Sequence, residues 1–142
     1  VKTMFSIIIP TLDNFLYLKL CIESITKTSK LKNEFIVHVN GDSNFKTRNY
    51  LKKKNILFTH SEENIGLCSA INIIAKKASH QYLIYAHDDM YFCPNWEKPL
   101  LDEIKKINHK KFYISGSMIE VNSGHIKFDC GTTIEKFDEK KL

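Results

Sequence analysis

The apolar residues of this 142-residue chain alternate between two spacings, and this alternation constrains the fold more than any other feature. Short continuous apolar runs are typical of strands buried on both faces of a sheet, whereas apolar residues three or four positions apart are typical of helices. The runs that predict strands are Met4–Ile9, which Pro10 ends, Phe35–Val39, Ile56–Thr59, Tyr82–Ala86, Phe112–Ile119 and a short sixth at His125–Phe128. Strands that alternate with helices favour an α/β fold with a mostly parallel sheet and helices on both faces.

Three helices are predicted between these strands. The first follows the common N-cap residues Asp13 and Asn14, and its apolar stripe is Leu18, Cys21, Ile22 and Ile25. The clearest stripe consists of Leu67, Ala70, Ile71, Ile74, Ala75 and Ala78. The third begins near Pro94, a residue suited to a first helical turn, and carries Trp96, Leu100, Leu101, Ile104 and Ile107.

Composition and charge restrict the partners. The hydrophobic share of 43% favours one buried core, and the four cysteines include no pair at two-residue spacing, as is typical of free thiols in a reducing cytosol. The net charge is +5, and basic residues cluster at Lys46–Lys54 and Lys105–Lys111. Such clusters are often solvated faces, and they can also attract an anionic donor or an anionic membrane surface. Neither cluster is interleaved with a row of aromatic residues, so no nucleic-acid partner is expected.

Ligands of parallel sheets bind at the carboxyl ends of the strands. Those ends are predicted at Pro10–Leu12, Asn40–Asp42, His60–Gly66 and His87–Asp89. The adjacent carboxylates Asp88 and Asp89 repel each other, and a divalent cation such as Mg²⁺ or Mn²⁺ would offset that repulsion. Adjacent side chains of an extended backbone point opposite ways, so we expect one carboxylate to bind metal and the other to face a ribose or brace the loop. The alternative is an Asp-rich turn before the next helix.

The other polar residues at these ends have several interpretations. His87 could bond a ribose hydroxyl, bind metal or cap its strand. Asn40 could read the imide edge of a uracil and still form an Asn-Gly turn. Gly66 could admit a ligand close to the backbone at a helix start, where free N–H groups attract anions. The sequence contains no phosphate loop, no dinucleotide fingerprint and no nucleophile elbow.

Four stretches together resemble the family 2 glycosyltransferases with the GT-A fold. Phe5–Thr11 resembles the opening strand of that family, and Val39–Ser43 resembles its Val-Asp-Asp-Gly-Ser turn. Asn64–Asn72 resembles its Asn-x-Gly helix start. Tyr82–Asp89, followed by Pro94–Trp96, resembles the strand that ends in the DXD motif and the helix after it.

The resemblance implies metal-dependent transfer of a sugar from a nucleoside diphosphate sugar, usually UDP-linked and with inversion, to a hydroxyl of a glycan, lipid or protein. The implied donor-binding residues are Pro10, Thr11, Leu12, Asn40, Asp42, Asn64, Gly66, Ser69, His87 and Asp88. The implied ligands of Mn²⁺ or Mg²⁺ are Asp89 and His87. Two positions depart from the family pattern, because Asn40 and His87 stand where the family has acidic residues.

We expect an incomplete enzyme within a single GT-A-like domain at residues 1–142, with a nucleotide-sugar-binding core at about 1–100 and the start of an acceptor side at 101–142. The family's catalytic base lies well after the DXD motif, so it is expected beyond Leu142. The alternative is a non-catalytic nucleotide-binding or glycan-binding fragment of such an enzyme. A sugar-1-phosphate nucleotidyltransferase would need a glycine-rich signature after the first strand, and Pro10–Asn14 contains none. The expected location is the cytoplasm, with possible peripheral contact to a membrane.

Overall fold

The computed structural model describes residues 5–41 and 45–142, which form an α/β structure. In chain order the elements are β1 (Phe5–Leu12), α1 (Phe15–Thr28), β2 (Glu34–Asn40), α2 (Lys46–Lys53), β3 (Leu57–Ser61), α3 (Leu67–Ala75), β4 (Tyr82–Tyr85), α4 (Glu97–Lys106), β5 (Ile119–Glu120), β6 (Ile126–Lys127) and a short 3-10 helix at Glu139–Lys141. None of the helices in the described ranges is long and apolar enough to cross a membrane.

Four strands form a parallel sheet in the order β3-β2-β1-β4. The two central strands are the most deeply buried, as their continuous apolar runs predict. Helix α3 packs on the sheet, where Ile74 contacts Ile8 of β1 and Ile36 of β2. The apolar stripe of α1 is buried at all four predicted positions, which confirms that helix.

Strand β1 does not end at Pro10, as the sequence suggested, but continues to Leu12. Its pairing with β4 stops where Ile8 faces Tyr85, whereas its pairing with β2 continues to Leu12 opposite Asn40. Proline is rare inside a sheet because it has no backbone N–H to donate to a neighbouring strand. Pro10 lies where β1 has a single neighbour, so the strand tolerates it.

Helix α2 is not predicted by the apolar pattern of the sequence, in which its basic residues are only a charged cluster. The helix buries Thr47 and Leu51, four positions apart, and leaves lysines on its solvent side. Two buried positions in eight residues give too short a stripe for a periodic pattern to stand out.

The strand expected at Phe112–Ile119 is wrong, since residues 112–118 adopt no strand and β5 comprises Ile119 and Glu120 alone. Ser115-Gly116-Ser117 interrupts the apolar run, and these residue types stabilise strands poorly. Tyr113 is 89% exposed, so the run buries little apolar surface. The short sixth strand is present as β6, which pairs with β5.

The chain divides into two compact units. Unit 1 comprises Val1–Lys27 and Leu31–Tyr91 and contains the four-stranded sheet. Unit 2 comprises Thr28–Lys30 and Phe92–Leu142. Within unit 2, the carboxylate of Glu97 is buried and accepts a hydrogen bond from the Lys30 backbone N–H at 2.8 Å.

Candidate active site

Asp88 is held from both sides at the carboxyl edge of the sheet. Thr11 Oγ1 donates to Asp88 Oδ2 at 2.6 Å, although 77 positions separate the two residues. Asn14 Nδ2 donates to the other oxygen, Asp88 Oδ1, at 3.0 Å. Each carboxylate oxygen therefore accepts a hydrogen bond from the β1–α1 junction, and these bonds fix the turn that follows β4.

The electrostatics of Asp88 suit a cation. Burial raises the pKa of Asp88, the charge of Asp89 adds to that rise, and the hydrogen bonds from Thr11 and Asn14 oppose it. The fold thus keeps two neighbouring carboxylates at one strand end, although the charge of Asp89 disfavours ionisation of Asp88. A positive charge beside them would stabilise the ionised form of Asp88.

The residues on either side of Asp88 are exposed. The ring of His87 lies 4.9 Å from the ring of Tyr85, and its Nε2 lies 3.0 Å from the Tyr85 hydroxyl. Burial and the charges of Asp88 and Asp89 raise the pKa of Tyr85, so its hydroxyl stays protonated and can donate to Nε2. When Nε2 accepts, the ring proton lies on Nδ1, which can donate to a ribose oxygen. Nδ1 can bind a metal only in the other tautomer, in which Nε2–H donates to the Tyr85 oxygen. Asp89 offers its carboxylate to solvent.

Cys21 supports the same turn from beneath, a role that the sequence analysis did not assign. It is fully buried, and its Sγ donates to the His87 carbonyl oxygen at 3.5 Å. Burial, with the charges of Asp88 and Asp89, raises the pKa of the Cys21 thiol to about 12. The thiol is therefore neutral at physiological pH and acts as a small apolar packing group.

Asn40 ends β2 and braces the loop that leads from β3 to α3. It is buried, and its Oδ1 accepts a hydrogen bond from the Ile65 backbone N–H at 3.1 Å. His38 lies two residues earlier, with Nδ1 2.7 Å from Thr59 Oγ1 and Nε2 3.2 Å from Ser61 Oγ. Burial lowers the pKa of His38, which keeps the ring neutral. The side-chain oxygen Oδ1 of Asn40 positions the loop between β3 and α3. A role for this side chain in reading a nucleotide base stays a prediction.

The start of α3 is open to solvent. Gly66 precedes the helix with φ 81° and ψ 160°, a conformation that glycine alone adopts readily, and a Cβ added there would meet no atom within 4 Å. Asn64 Oδ1 accepts a hydrogen bond from the Gly66 N–H at 2.9 Å, which shapes the approach to the helix. Ser69 is exposed in the first turn. A ligand can therefore come close to the backbone at this helix start.

The side chains present suit a divalent cation whose coordination is completed mainly by phosphate oxygens of a bound substrate. In the described ranges, no three His, Cys, Asp or Glu side chains lie close enough together to hold a metal. Mg²⁺ and similar ions need only one or two carboxylates when phosphate oxygens and water complete the coordination. The exposed Asp89, beside the fixed Asp88, is a carboxylate of the kind that such an ion requires.

The remaining predicted residues are placed as follows. Pro10 is buried within β1, and Leu12 is 46% exposed at its end. Asp42 lies outside the described residues. Asn14, like Cys21, is a site residue that the sequence did not predict. Its only signal in the sequence is that it is an N-cap type beside a strand end.

The model of Glycosyl transferase family 2 matches residues 6–132 of the chain. The chain belongs to this family. Glycosyl transferase family 2 was the family suggested by the four sequence stretches, so that prediction is confirmed. A search of curated protein sequences gives no significant match.

Solved structures show that this family 2 chain has the GT-A fold. TarS from S. aureus, residues 1–349, superposes with a TM-score of 0.64 at 20% identity over 73% of this chain and 33% of the TarS chain. The same protein in complex with UDP gives 0.64 at 21% identity, over 73% and 32%. The mannosyltransferase PcManGT from Pyrobaculum calidifontis, in complex with GDP-Man and Mn²⁺, gives 0.58 at 14% identity, over 71% and 31%. The match spans about a third of the length of each of these three solved chains.

Proposed function

We propose that the chain is the donor-binding part of a glycosyltransferase that takes a sugar from a UDP-linked donor and transfers it to an acceptor hydroxyl with inversion, using Mn²⁺ or Mg²⁺. Membership of Glycosyl transferase family 2 supports the reaction class. The complexes of TarS with UDP and UDP-GlcNAc, and of PcManGT with GDP-Man and Mn²⁺, support a nucleotide-sugar donor and a metal.

The observation that carries the proposal is the difference between Asp88 and Asp89. Asp88 accepts hydrogen bonds from Thr11 and Asn14 and anchors the turn after β4, while Asp89 is exposed on that same turn. A ligand residue on an anchored turn binds without first losing conformational freedom. Asp89 is therefore the residue that we assign to the metal. His87 Nδ1 is a hydrogen-bond donor to the ribose in one tautomer and a second metal ligand in the other.

The start of α3 suits the phosphate groups of a nucleoside diphosphate. The open start of α3 presents backbone N–H groups that favour an anionic diphosphate, and Gly66 lets the phosphate approach. The bound metal would act as a Lewis acid toward the departing diphosphate. In the transfer, the acceptor oxygen bonds to the anomeric carbon as the bond from that carbon to the diphosphate breaks. The hydroxyl proton passes to a base to which we assign no residue of this chain.

Calorimetric titration of the chain with UDP, in the presence and absence of Mn²⁺, tests the proposal. Wild-type protein should bind UDP more tightly by about tenfold or more when Mn²⁺ is present, because the metal links Asp89 to the diphosphate. Asp89→Asn should lose that increase while it retains the weaker metal-independent binding.

Asp13→Asn is the matched control, since Asp13 is exposed at the same edge and its φ of 49° is one that asparagine accepts. It should keep the Mn²⁺ effect. Absence of UDP binding by the folded wild-type chain at millimolar ligand would refute the proposal. An equal loss in both variants would refute the specific role of Asp89.

A further inference from the structure

Helix α2 carries the densest positive charge of unit 1. Between Phe45 and Leu57 the sequence has five basic residues and no acidic residue. The basic residues are Lys46, Arg48, Lys52, Lys53 and Lys54. We call the solvent side of α2, with these five residues and Phe45, the α2 face.

The charges of the α2 face point away from the sheet. Thr47 and Leu51 are buried on the inner side of the helix, and all four lysines of the face are exposed. A helix turns 100° per residue. The basic residues, which are not on the buried side, are therefore spread over the solvent side along the whole length of the helix. These lysines belong neither to the sheet nor to the candidate active site.

Exposed apolar residues flank the charges. Phe45, just before the helix, is 57% exposed, and Leu57, just after it, is 50% exposed. The guanidinium of Arg48 lies 4.3 Å from the centre of the Phe45 ring, so a cation and an aromatic ring are presented together. Basic residues combined with exposed aromatic and aliphatic residues are typical of helices that lie on anionic membranes.

A shallow cleft of about 340 Å³ adjoins the helix on the side of α1. Ile22, Phe35 and Ile56 give it apolar walls, and Tyr50 and Lys54 belong to the α2 side. Glu23 also lines the cleft and forms an ion pair with Lys19 at 3.9 Å, which offsets its negative charge. The cleft extends the apolar part of the surface without adding an unpaired acid.

We propose that the α2 face docks the chain on an anionic lipid bilayer, with the lysines near lipid phosphates and Phe45 inserted among the headgroups. Charge complementarity selects this occupant, because the cytoplasmic leaflet carries a negative surface potential. The two flanking apolar residues favour a bilayer over a nucleic acid, whose binding would call for a row of stacking aromatics. Helix α2 follows the carboxyl end of β2, so docking would hold the candidate active site close to the membrane surface.

Co-sedimentation of the chain with vesicles tests this inference independently of any sugar transfer. The chain should bind phosphatidylcholine vesicles that contain about 30% phosphatidylserine, and it should not bind vesicles of phosphatidylcholine alone. Binding should weaken steeply as NaCl is raised to about 0.5 M. The double variant Lys52→Gln/Lys53→Gln should reduce the affinity about 25-fold, at about fivefold for each charge removed.

Lys76→Gln/Lys77→Gln is the matched control, because it removes two exposed lysines of unit 1 at the end of a different helix. This variant should bind within about twofold of wild type, and Phe45→Ala should weaken binding without changing its salt dependence. Circular dichroism checks that each variant is folded. Equal binding to both vesicle types, no binding to either, or an equal loss in the two lysine variants would overturn the proposal. Preference for a single-stranded oligonucleotide over the anionic vesicles would overturn it as well.

Discussion

The carboxylate of Asp88 lies in surroundings that disfavour its ionised form. Burial and the charge of Asp89 raise its pKa, and Thr11 and Asn14 each donate a hydrogen bond that opposes this effect. Destabilised groups of this kind cluster where binding requires them. A cation that binds at this strand end, as proposed, would offset the unfavourable surroundings of Asp88.

Replacement of this carboxylate by an amide should separate stability from binding. In Asp88→Asn the side chain keeps its shape and can still exchange hydrogen bonds with Thr11 and Asn14, while the repulsion with Asp89 disappears. We expect its free energy of unfolding, measured by urea denaturation, to equal that of wild type or to exceed it by up to about 1 kcal/mol. The Mn²⁺-dependent part of UDP binding should weaken by about tenfold or more.

Thr11→Val provides the contrasting control. It keeps the charge of Asp88 and removes one of its two donors, so it should lower the free energy of unfolding by about 1–2 kcal/mol. If Asp88→Asn proved less stable than Thr11→Val, the carboxylate would be needed for folding itself, and the assigned conflict between stability and binding would be wrong.

The sequence could identify the carboxylates but not what supports them. Asp88 and Asp89 stand out because two adjacent acids follow an apolar strand, which is a local pattern. Their braces come from elsewhere in the chain: Thr11 and Asn14 precede Asp88 by 77 and 74 positions. Cys21 likewise reaches the His87 carbonyl across 66 positions. Such contacts depend on the tertiary arrangement, and no spacing within the sequence encodes them.

At the scale of the elements, Glu34 ties the amino ends of the strands together. It begins β2, and its carboxylate accepts hydrogen bonds from the Ser6 hydroxyl of β1, from the Ser79 N–H at 2.6 Å and from the Ser79 hydroxyl at 3.0 Å. The His80 ring adds a fourth contact at 3.0 Å. Burial alone would raise the pKa of Glu34, but these contacts outweigh it and lower the pKa to about 2.

This lowered pKa predicts an acid-dependent loss of stability. A carboxylate whose pKa is lower in the folded state stabilises the fold fully above its unfolded pKa, here 4.5, and loses that contribution as pH falls toward 2. Glu34→Gln should therefore be less stable than wild type at pH 7, by about 1 kcal/mol given the partial exposure of the site. The difference between the two proteins should shrink as urea unfolding is repeated from pH 5 down to pH 3.

Glu103→Gln is the control for this experiment, since Glu103 is an exposed acid of α4 that pairs with Lys106. Its unfolding curve should follow that of wild type across the same pH range. A difference between wild type and Glu34→Gln that stays constant down to pH 3 would mean that Glu34 has no lowered pKa in the folded protein.

The elements were predictable where burial is continuous and unpredictable where it is not. Strands β1 and β2 and helix α1 bury long apolar runs or complete stripes, and the sequence located them to within a few residues. Helix α2 buries two residues, and the run from Phe112 to Ile119 has glycine and serine at its centre. In both places tertiary contacts, rather than local periodicity, decide the outcome.

At the scale of the whole molecule, the predicted site residues that the structure describes all belong to unit 1. The four-stranded sheet of the same unit supplies the strand ends on which most of them stand. Unit 2 is built differently, because its strands β5 and β6 have two residues each and much of its chain lies outside regular structure. Stability should therefore be distributed unevenly along the chain.

Native-state hydrogen exchange measures this distribution. Amide protons of β1 and β2 should exchange most slowly, because these central strands carry residues such as Ile7, Ile9 and Val37 with 0% exposure. Most amides of residues 107–118, which form no helix or strand, should exchange much faster than those of β1 and β2. If Mn²⁺ and UDP bind as proposed, their addition should slow exchange in the turn after β4 and at the start of α3, while residues 107–118 should remain unchanged. Protection of 107–118 equal to that of β1 would show that a strand forms there after all, and would restore the interpretation that the apolar run from Phe112 suggested.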